Sequence, residues 1–329
     1  MIYWVKNIVI VGGGTGTFTL LSGLRKFPTN NAVIVSTADD GGSTGRLREE
    51  LGVLPPGDLR QCLVGLSYTD PVLQDLFSYR FAKGSLAGHT VGNIILAALE
   101  KVTGDVERGI AQTAKMLNVR GEVVPVTLFP TKLSATLMNG KKIVGEHHID
   151  EPRHDGNIRI KSLTLKPGGA ANPRALGLIA AADAIIFGPG DLYTSTIPNL
   201  LVKGVAEAVR RSSAKKILIT NLMTKHGQTD KFKASDFVKS LESYLGKGSV
   251  DAVIVNSKKP AAAWIARHKK EHSEFVEPDT ALLKKMKLKV LAEPLLNGNT
   301  FEKNSGDVLK RSYLRHDPDK LAKLILDAV

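Results

Sequence analysis

One cysteine, Cys62, stands among 329 residues. No intramolecular disulfide can form, and an oxidised secreted scaffold is excluded. Aromatic residues make up only 5% of the chain, too few to interleave with basic residues as stacking platforms for single-stranded nucleic acid. Long apolar runs are also missing. The longest apolar stretch, ALGLIAAADAIIFG (175–188), is interrupted by Asp183 and falls short of the roughly 18 residues needed to cross a bilayer. The opening MIYWVKNIVIV has neither the charged start nor the small-residue cleavage site of a secretory signal, which makes the cytoplasm the expected compartment.

What is present is an apolar content of 43%, enough for a large core, and an excess of basic residues. Lys and Arg number 45 against 32 Asp and Glu, a formal net charge of +13. Such a balance draws polyanions at long range. The basic residues are densest in RHKKEH (267–272) and LLKKMKLKV (282–290). There they sit among apolar positions, as on an exposed helix face or strand edge, so phosphorylated metabolites are the expected partners and nucleic acid is not.

Buried parallel strands are expected at 7–11, 31–37, 183–190, 215–221 and 250–256, where apolar runs end in turn residues. Helical patterns fall between them, at 17–27, 197–212 and 235–246. This alternation predicts an α/β fold, Rossmann-like and doubly wound, with a mostly parallel sheet. The segment 120–170 departs from it. Asn139-Gly140 between alternating apolar runs predicts a hairpin, and 157–167 a further strand. One domain is expected, with its core in 1–119 and 171–329 and a small β-rich insertion at about 120–170.

The first strand runs into GGGTGTFT (12–19). Counting Gly12 as the first position the sixth is Thr17, and counting Gly14 as the first it is Thr19, so the dinucleotide fingerprint fails; no lysine lies between Lys6 and Lys26, so the Walker loop fails too. What remains is a glycine-rich turn into a helix. It suits an anion held by backbone N–H groups with the hydroxyls of Thr15, Thr17 and Thr19, or simply a tight turn. The second strand ends in STADDGGSTGRLR (36–48). Asp39 and Asp40 fall where a carboxylate meets ribose hydroxyls or a phosphate-bound divalent cation, followed by Ser43, Thr44, Arg46 and Arg48. A third such loop, Gly188 to Ser195, leads into a helix with Pro198 in its first turn.

These blocks, with FSYRFAKGSLAGHTVGNIILAALEKVTGD and GPGDLYTSTIPNLLVKGV, resemble the CofD-like superfamily over essentially the whole chain. Within it they are closest to the bacterial gluconeogenesis-factor family of UDP-sugar-binding proteins. The resemblance implies a nucleotide-type ligand across the carboxyl ends of the parallel strands. Carried onto this chain, Gly13, Gly14, Thr15, Gly16, Thr17, Asp39, Asp40, Ser43 and Thr44 would line phosphate and ribose. His89 and Asn93 of GHTVGN would reach the same rim, and Gly188, Gly190, Asp191 and Ser195 would form a second anion nest. NLMTKHGQTD (221–230) resembles a family element that would contribute Asn221 and Thr224, although Lys225 and Gln228 stand where the family has glutamine and glutamate. LRHD (314–317) would bring Arg315 to a phosphate. In 265–279, His268 occupies a usual tyrosine position and His272 a usual glycine. A lone histidine in so basic a helix is expected on the solvated surface.

Other chemistries find less support. GEHHIDEPRHD (145–155) has Glu146, His147, His148, Asp150, His154 and Asp155 but no metal-ligand spacing, and reads as a polar loop. Cys62 reads as a packed thiol. The resemblance implies a regulator that binds a UDP-sugar such as UDP-N-acetylglucosamine and serves cell shape and envelope balance during gluconeogenic growth. The alternative is a transferase of a substituted phosphate group, like the superfamily's 2-phospho-L-lactate transferase, with Mg²⁺ as cofactor and Asp40 as its candidate ligand. No other cofactor is called for; a homodimer is the default assembly.

Overall fold

The computed structural model describes residues 5–298 and 313–329. Among these the strands are β1 (Lys6–Val11), β2 (Thr29–Val35), β3 (Glu122–Pro125), β4 (Lys132–Leu137), β5 (Lys142–Val144), β6 (Ile160–Lys166), β7 (Ala184–Phe187), β8 (Lys215–Ile219), β9 (Ala252–Asn256) and β10 (Lys289–Glu293). Seven form one sheet in the order β10-β9-β8-β7-β1-β2-β3, with every pairing parallel. The other three form the antiparallel sheet β5-β4-β6. The α/β architecture and its β insertion are therefore as the sequence predicts.

The helices are α1 (Gly14–Leu24), α2 (Gly42–Leu51), α3 (Pro56–Gly65), α4 (Pro71–Ser78), α5 (Val91–Thr103), α6 (Val106–Met116), α7 (Glu146–Asp150), α8 (Pro173–Ala181), α9 (Ile197–Leu200), α10 (Val205–Arg211), α11 (Ala234–Leu245), α12 (Ala262–Lys269), α13 (Thr280–Lys285) and α14 (Pro318–Leu326). They cover both faces of the large sheet, which explains the unbroken apolar strands. Ile8 and Ile10 of β1 enter one core with Leu20, Leu63 and Leu321. Val9 and Val11 enter the other, shared with Leu133, Ala135 and Leu163 of the insertion. Each such side chain, fully buried, contributes about 1.5 to 3 kcal/mol.

Two boundaries differ from the sequence expectation. Residues 122–125 belong to the large sheet, because Val123 and Val124 face opposite cores and need cover on both sides. The single helix expected over 197–212 is broken: Gly204 sits at φ +97°, and the Lys203 backbone pairs with Gly169 and Ala171. Residues 192–196 form one π-helical turn, followed by α9 and α10.

β1 pairs with β2 on one side and β7 on the other, so the chain order reverses there. Loops leaving the carboxyl ends of these strands turn to opposite faces and open a crevice between them.

Candidate functional site

That crevice holds a cavity of about 850 Å³, within the range of pockets that enclose small ligands. Gly13, Gly14, Thr15, Gly16, Asp39, Ser43, Thr44, Asn93, Gly190, Asp191, Ser195, Asn221, Thr224 and Arg315, all singled out from sequence, line it. Thr17, Asp40, His89 and Gly188 stand behind the lining. Thr17 is fully buried and its hydroxyl donates to the Pro189 carbonyl at 3.4 Å. Asp40 Oδ1 accepts from the His147 backbone N–H at 2.9 Å, which ties the insertion to the β2 loop. Arg46 and Arg48 brace the loops by donating to the carbonyls of Ala87, and of Asp39 and Thr131.

The glycines of the first turn do two jobs. Gly13 is the N-cap of α1 and offers no side-chain cap, as does Gly41 for α2, whereas Asp70, Asp105, Asn172 and Asp317 cap α4, α6, α8 and α14. Neither helix is capped by the side chain of its own N-cap residue, and both N-termini open on the cavity, where the helix dipole favours negative charge. The second job is close approach: a Cβ at Gly16 would overlap the Pro189 carbonyl. Glycine there lets the β1 and β7 loops touch.

One wall, from α2, α3 and α5, is a directional chain of hydrogen bonds. Arg60, 6% exposed, donates through Nε to Asn93 Oδ1 at 2.9 Å. Arginine can only donate, so the Asn93 amide is fixed with Nδ2 toward Ser43 Oγ, at 3.2 Å. Ser43 Oγ lies 2.9 Å from His89 Nδ1. Burial, reinforced by the Arg46 charge, lowers the His89 pKa and favours the neutral ring. A neutral Nδ1 can accept the Ser43 proton. Arg60 was not singled out from sequence; its signal was a basic residue inside the otherwise apolar face of α3.

The opposite wall is acidic. GEHHIDEPRHD is not a loop but begins with α7, which places Glu146, His147 and Asp150 on the cavity. Asp39 has its pKa raised to about 6, first by burial and then by Asp40 and Asp150, against the Gly41 N–H and Thr44 hydrogen bonds that lower it. Burial beside Asp39, Asp150 and Asp58 pushes Glu146 well above the usual carboxylate range. Lys225 sits among these groups, with Nζ 2.8 Å from Asp150 Oδ1 and 3.0 Å from Asp191 Oδ2. Against the cost of burial, its charge and hydrogen bond hold Asp150 below its ordinary pKa. Asp191, buried beside Asp150, is raised despite the same lysine.

The far end is basic. His268 is 2% exposed and its Nδ1–H donates to the Trp264 carbonyl at 2.9 Å, so it is a buried wall residue and not a solvated one. His272 adopts φ +54°, a conformation that glycine takes without strain. The turn carrying it is fastened to the β8 loop by Thr224 N–H donating to the Glu274 carbonyl at 2.7 Å. Burial lowers the His316 pKa to about 4, despite a hydrogen bond with the Thr220 backbone. Cys62 is fully buried away from the cavity lining, a packed thiol whose pKa burial raises.

Residues 8–296 match the sequence profile of the family described as 2-phospho-L-lactate transferase CofD. The chain is 40% identical over 324 residues to the gluconeogenesis factor of Halalkalibacterium halodurans, covering 98% of this chain and 96% of the relative. It is 40% identical to the gluconeogenesis factor of Bacillus subtilis, covering 98% and 97%. A crystal structure of a UPF0052 family member from Bacillus halodurans superposes with a TM-score of 0.90 at 38% identity, covering 98% of this chain and 99% of that one. Among the described residues no helix is long and apolar enough to cross a membrane.

Proposed function

The chain belongs to the CofD family, and from that premise we propose that it binds a nucleotide sugar, a UDP-sugar such as UDP-N-acetylglucosamine, as a cytoplasmic regulator of the gluconeogenesis-factor type. The observation that carries the reading is the cavity's division of chemistry. The α1 and α2 N-termini with glycine N-caps at Gly13 and Gly41, together with Arg60 and Arg315 on the lining, suit a pyrophosphate. The Asp191 carboxylate on the β7 loop repels phosphate but accepts hydrogen bonds from ribose or hexose hydroxyls. A ligand with a dianionic middle and hydroxyl-rich sugars on both sides matches that sequence of surfaces. Control of envelope balance and cell shape under gluconeogenic growth is the role this ligand would report on.

The family's name raises a second reading, phosphoryl-linked transfer with Mg²⁺. The residues do not fit the cation. Asp40 is held by the His147 N–H, Asp150 and Asp191 share the Lys225 ammonium, and among the described residues no group of three His, Cys, Asp or Glu side chains is placed to hold a metal. Binding is the reading that the relatives named gluconeogenesis factors support.

Titration calorimetry with UDP-N-acetylglucosamine, with and without Mg²⁺, followed by a phosphorus NMR assay for products, tests the proposal. Saturable binding with the nucleotide recovered intact is expected. Failure to bind any UDP-sugar would remove it, and conversion of the ligand would move the chain to the transferase reading.

A further inference from the structure

The three-stranded sheet β5-β4-β6 buries one face and leaves the other open. Leu133, Ala135 and Leu137 of β4, Ile143 of β5 and Leu163 of β6 enter the core. The alternate residues make the outer face, and the register sets them in rows: Lys132 opposite Lys166, then Ser134 between Val144 and Thr164, then Thr136 between Lys142 and Ser162. None of the three strands contains an Asp or Glu. Lys132, Lys142 and Lys166 are exposed, and none of them forms an ion pair among the described residues. Among those residues the hydroxyls of Ser134, Thr136, Ser162 and Thr164 also make no hydrogen bond to another group. Like charges directly opposite one another across antiparallel strands destabilise a sheet, and Lys132 and Lys166 stand in that relation without a counter-ion.

We propose that this outer face docks an extended acidic segment of a partner protein. Charge and spacing select that occupant. A cationic face without acids is complementary to carboxylates. Residues two apart on a strand repeat every 6.8 Å or so, as they do in an extended chain laid along it, so the row of Lys132 and Lys166 and the row of Lys142 lie about 13 Å apart and meet side chains four residues apart in the segment. The hydroxyls in these rows supply donors along the same line. No aromatic residue stands in the rows to stack a nucleobase, and Val144 is their one exposed apolar side chain, too little to enter a bilayer. The inference stands on this face alone and is independent of which nucleotide the cavity takes.

The test titrates the full chain, without nucleotide, into a fluorescent peptide of about twelve residues alternating glutamate and threonine, read by fluorescence anisotropy at low and at high salt. Saturable binding that weakens with salt is expected. Lys132→Glu should weaken it at least about tenfold and also raise the melting temperature, because the new carboxylate faces Lys166 across the strands. A gain in stability with a loss of binding excludes misfolding as the cause. Lys142→Glu should weaken binding as well. Lys258→Glu combined with Lys259→Glu takes more positive charge from exposed positions elsewhere, and should leave the affinity within about twofold.

No saturable binding by the native chain, full affinity in Lys132→Glu, or equal weakening by the Lys258 and Lys259 double variant overturns the proposal. If Lys132→Glu does not fold, Lys142→Glu decides alone: weakened binding supports the proposal and unchanged binding overturns it. Polyuridylate RNA and phosphatidylserine vesicles are titrated in parallel. Tighter binding of either than of the peptide, lost in Lys132→Glu, assigns the face to that partner and overturns the proposal too.

Discussion

The two walls of the cavity solve the problem of buried polarity in opposite ways. On the α2, α3 and α5 side, Arg60, Asn93, Ser43 and His89 form a chain in which each donor meets an acceptor and a single arginine sets the direction. On the α7 side, Asp39, Glu146, Asp150 and Asp191 crowd together; burial, and then the neighbouring carboxylates, hold back ionisation of Asp39 and Glu146, while Lys225 reaches only Asp150 and Asp191. The first wall is satisfied in the empty protein, and it positions the site. The second carries electrostatic cost that a hydroxyl-rich ligand would relieve, and cost of that kind concentrates where a site does its work.

The contrast rests on the two loops being pressed together, and the largest expected effect comes from separating them. Gly16→Ala puts a methyl group against the Pro189 carbonyl, a backbone atom that cannot swing aside. A loss of about 3 kcal/mol in denaturant unfolding is expected, with loss of nucleotide binding. Next is the satisfied wall. Arg60→Met keeps most of the side-chain volume but strands Asn93 Oδ1, and should cost about 2 kcal/mol. A neutral effect of Arg60→Met would show that the chain of hydrogen bonds does not hold this wall.

The two walls also differed in how legible they were. The parallel strands and the first two glycine loops follow from apolar runs ending in turn residues, a local pattern that the sheet merely assembles. The acidic wall is not local. Its carboxylates come from the β2 loop, α7 and the β7 loop, and its lysine from the β8 loop, so no spacing along the chain relates them. Glu146 and Asp150 read as a polar loop because a five-residue helix leaves little periodicity, and because their partners lie more than 30 residues away. Lys225 and Gln228 stood out only as departures from a family element. Their meaning, an ammonium and an amide on the same Asp150 oxygen, required the fold. His268 was misplaced for a related reason: the surrounding basic residues are exposed while that one position turns inward.

The costly wall makes a prediction of opposite sign to the satisfied one. Asp39 has its pKa raised from 3.8 to about 6. The folded state therefore holds the proton more tightly than the unfolded chain, and ionisation favours unfolding. That cost is absent below about pH 4, grows through pH 4 to 6 and is fully present above. Asp39→Asn keeps an acceptor for the Gly41 N–H, 2.9 Å away, and removes the charge. Thermal melts at pH 8 should show the variant stabilised by about 2 kcal/mol, or roughly 4 °C, whereas melts at pH 4 should coincide. Stabilisation that persists unchanged at pH 4 would mean that packing, not charge, explains it.

The smallest effect separates the walls from what joins them. Asp40 and His147 meet across the gap between the β2 loop and the insertion, but the contact runs from the Asp40 carboxylate to the His147 backbone N–H. Asp40→Ala removes the acceptor and leaves the start of α7 untethered; about 1 kcal/mol of stability should go. Nucleotide affinity should fall with it, because Glu146 and Asp150 ride on that helix. His147→Ala keeps the N–H, so its stability should lie within about 0.5 kcal/mol of the native chain. Its imidazole does line the cavity, so a loss of affinity without a loss of stability would assign the ring to the ligand. Equal destabilisation by both variants would instead mean that the side chains, and not the tether, hold α7 against the β2 loop.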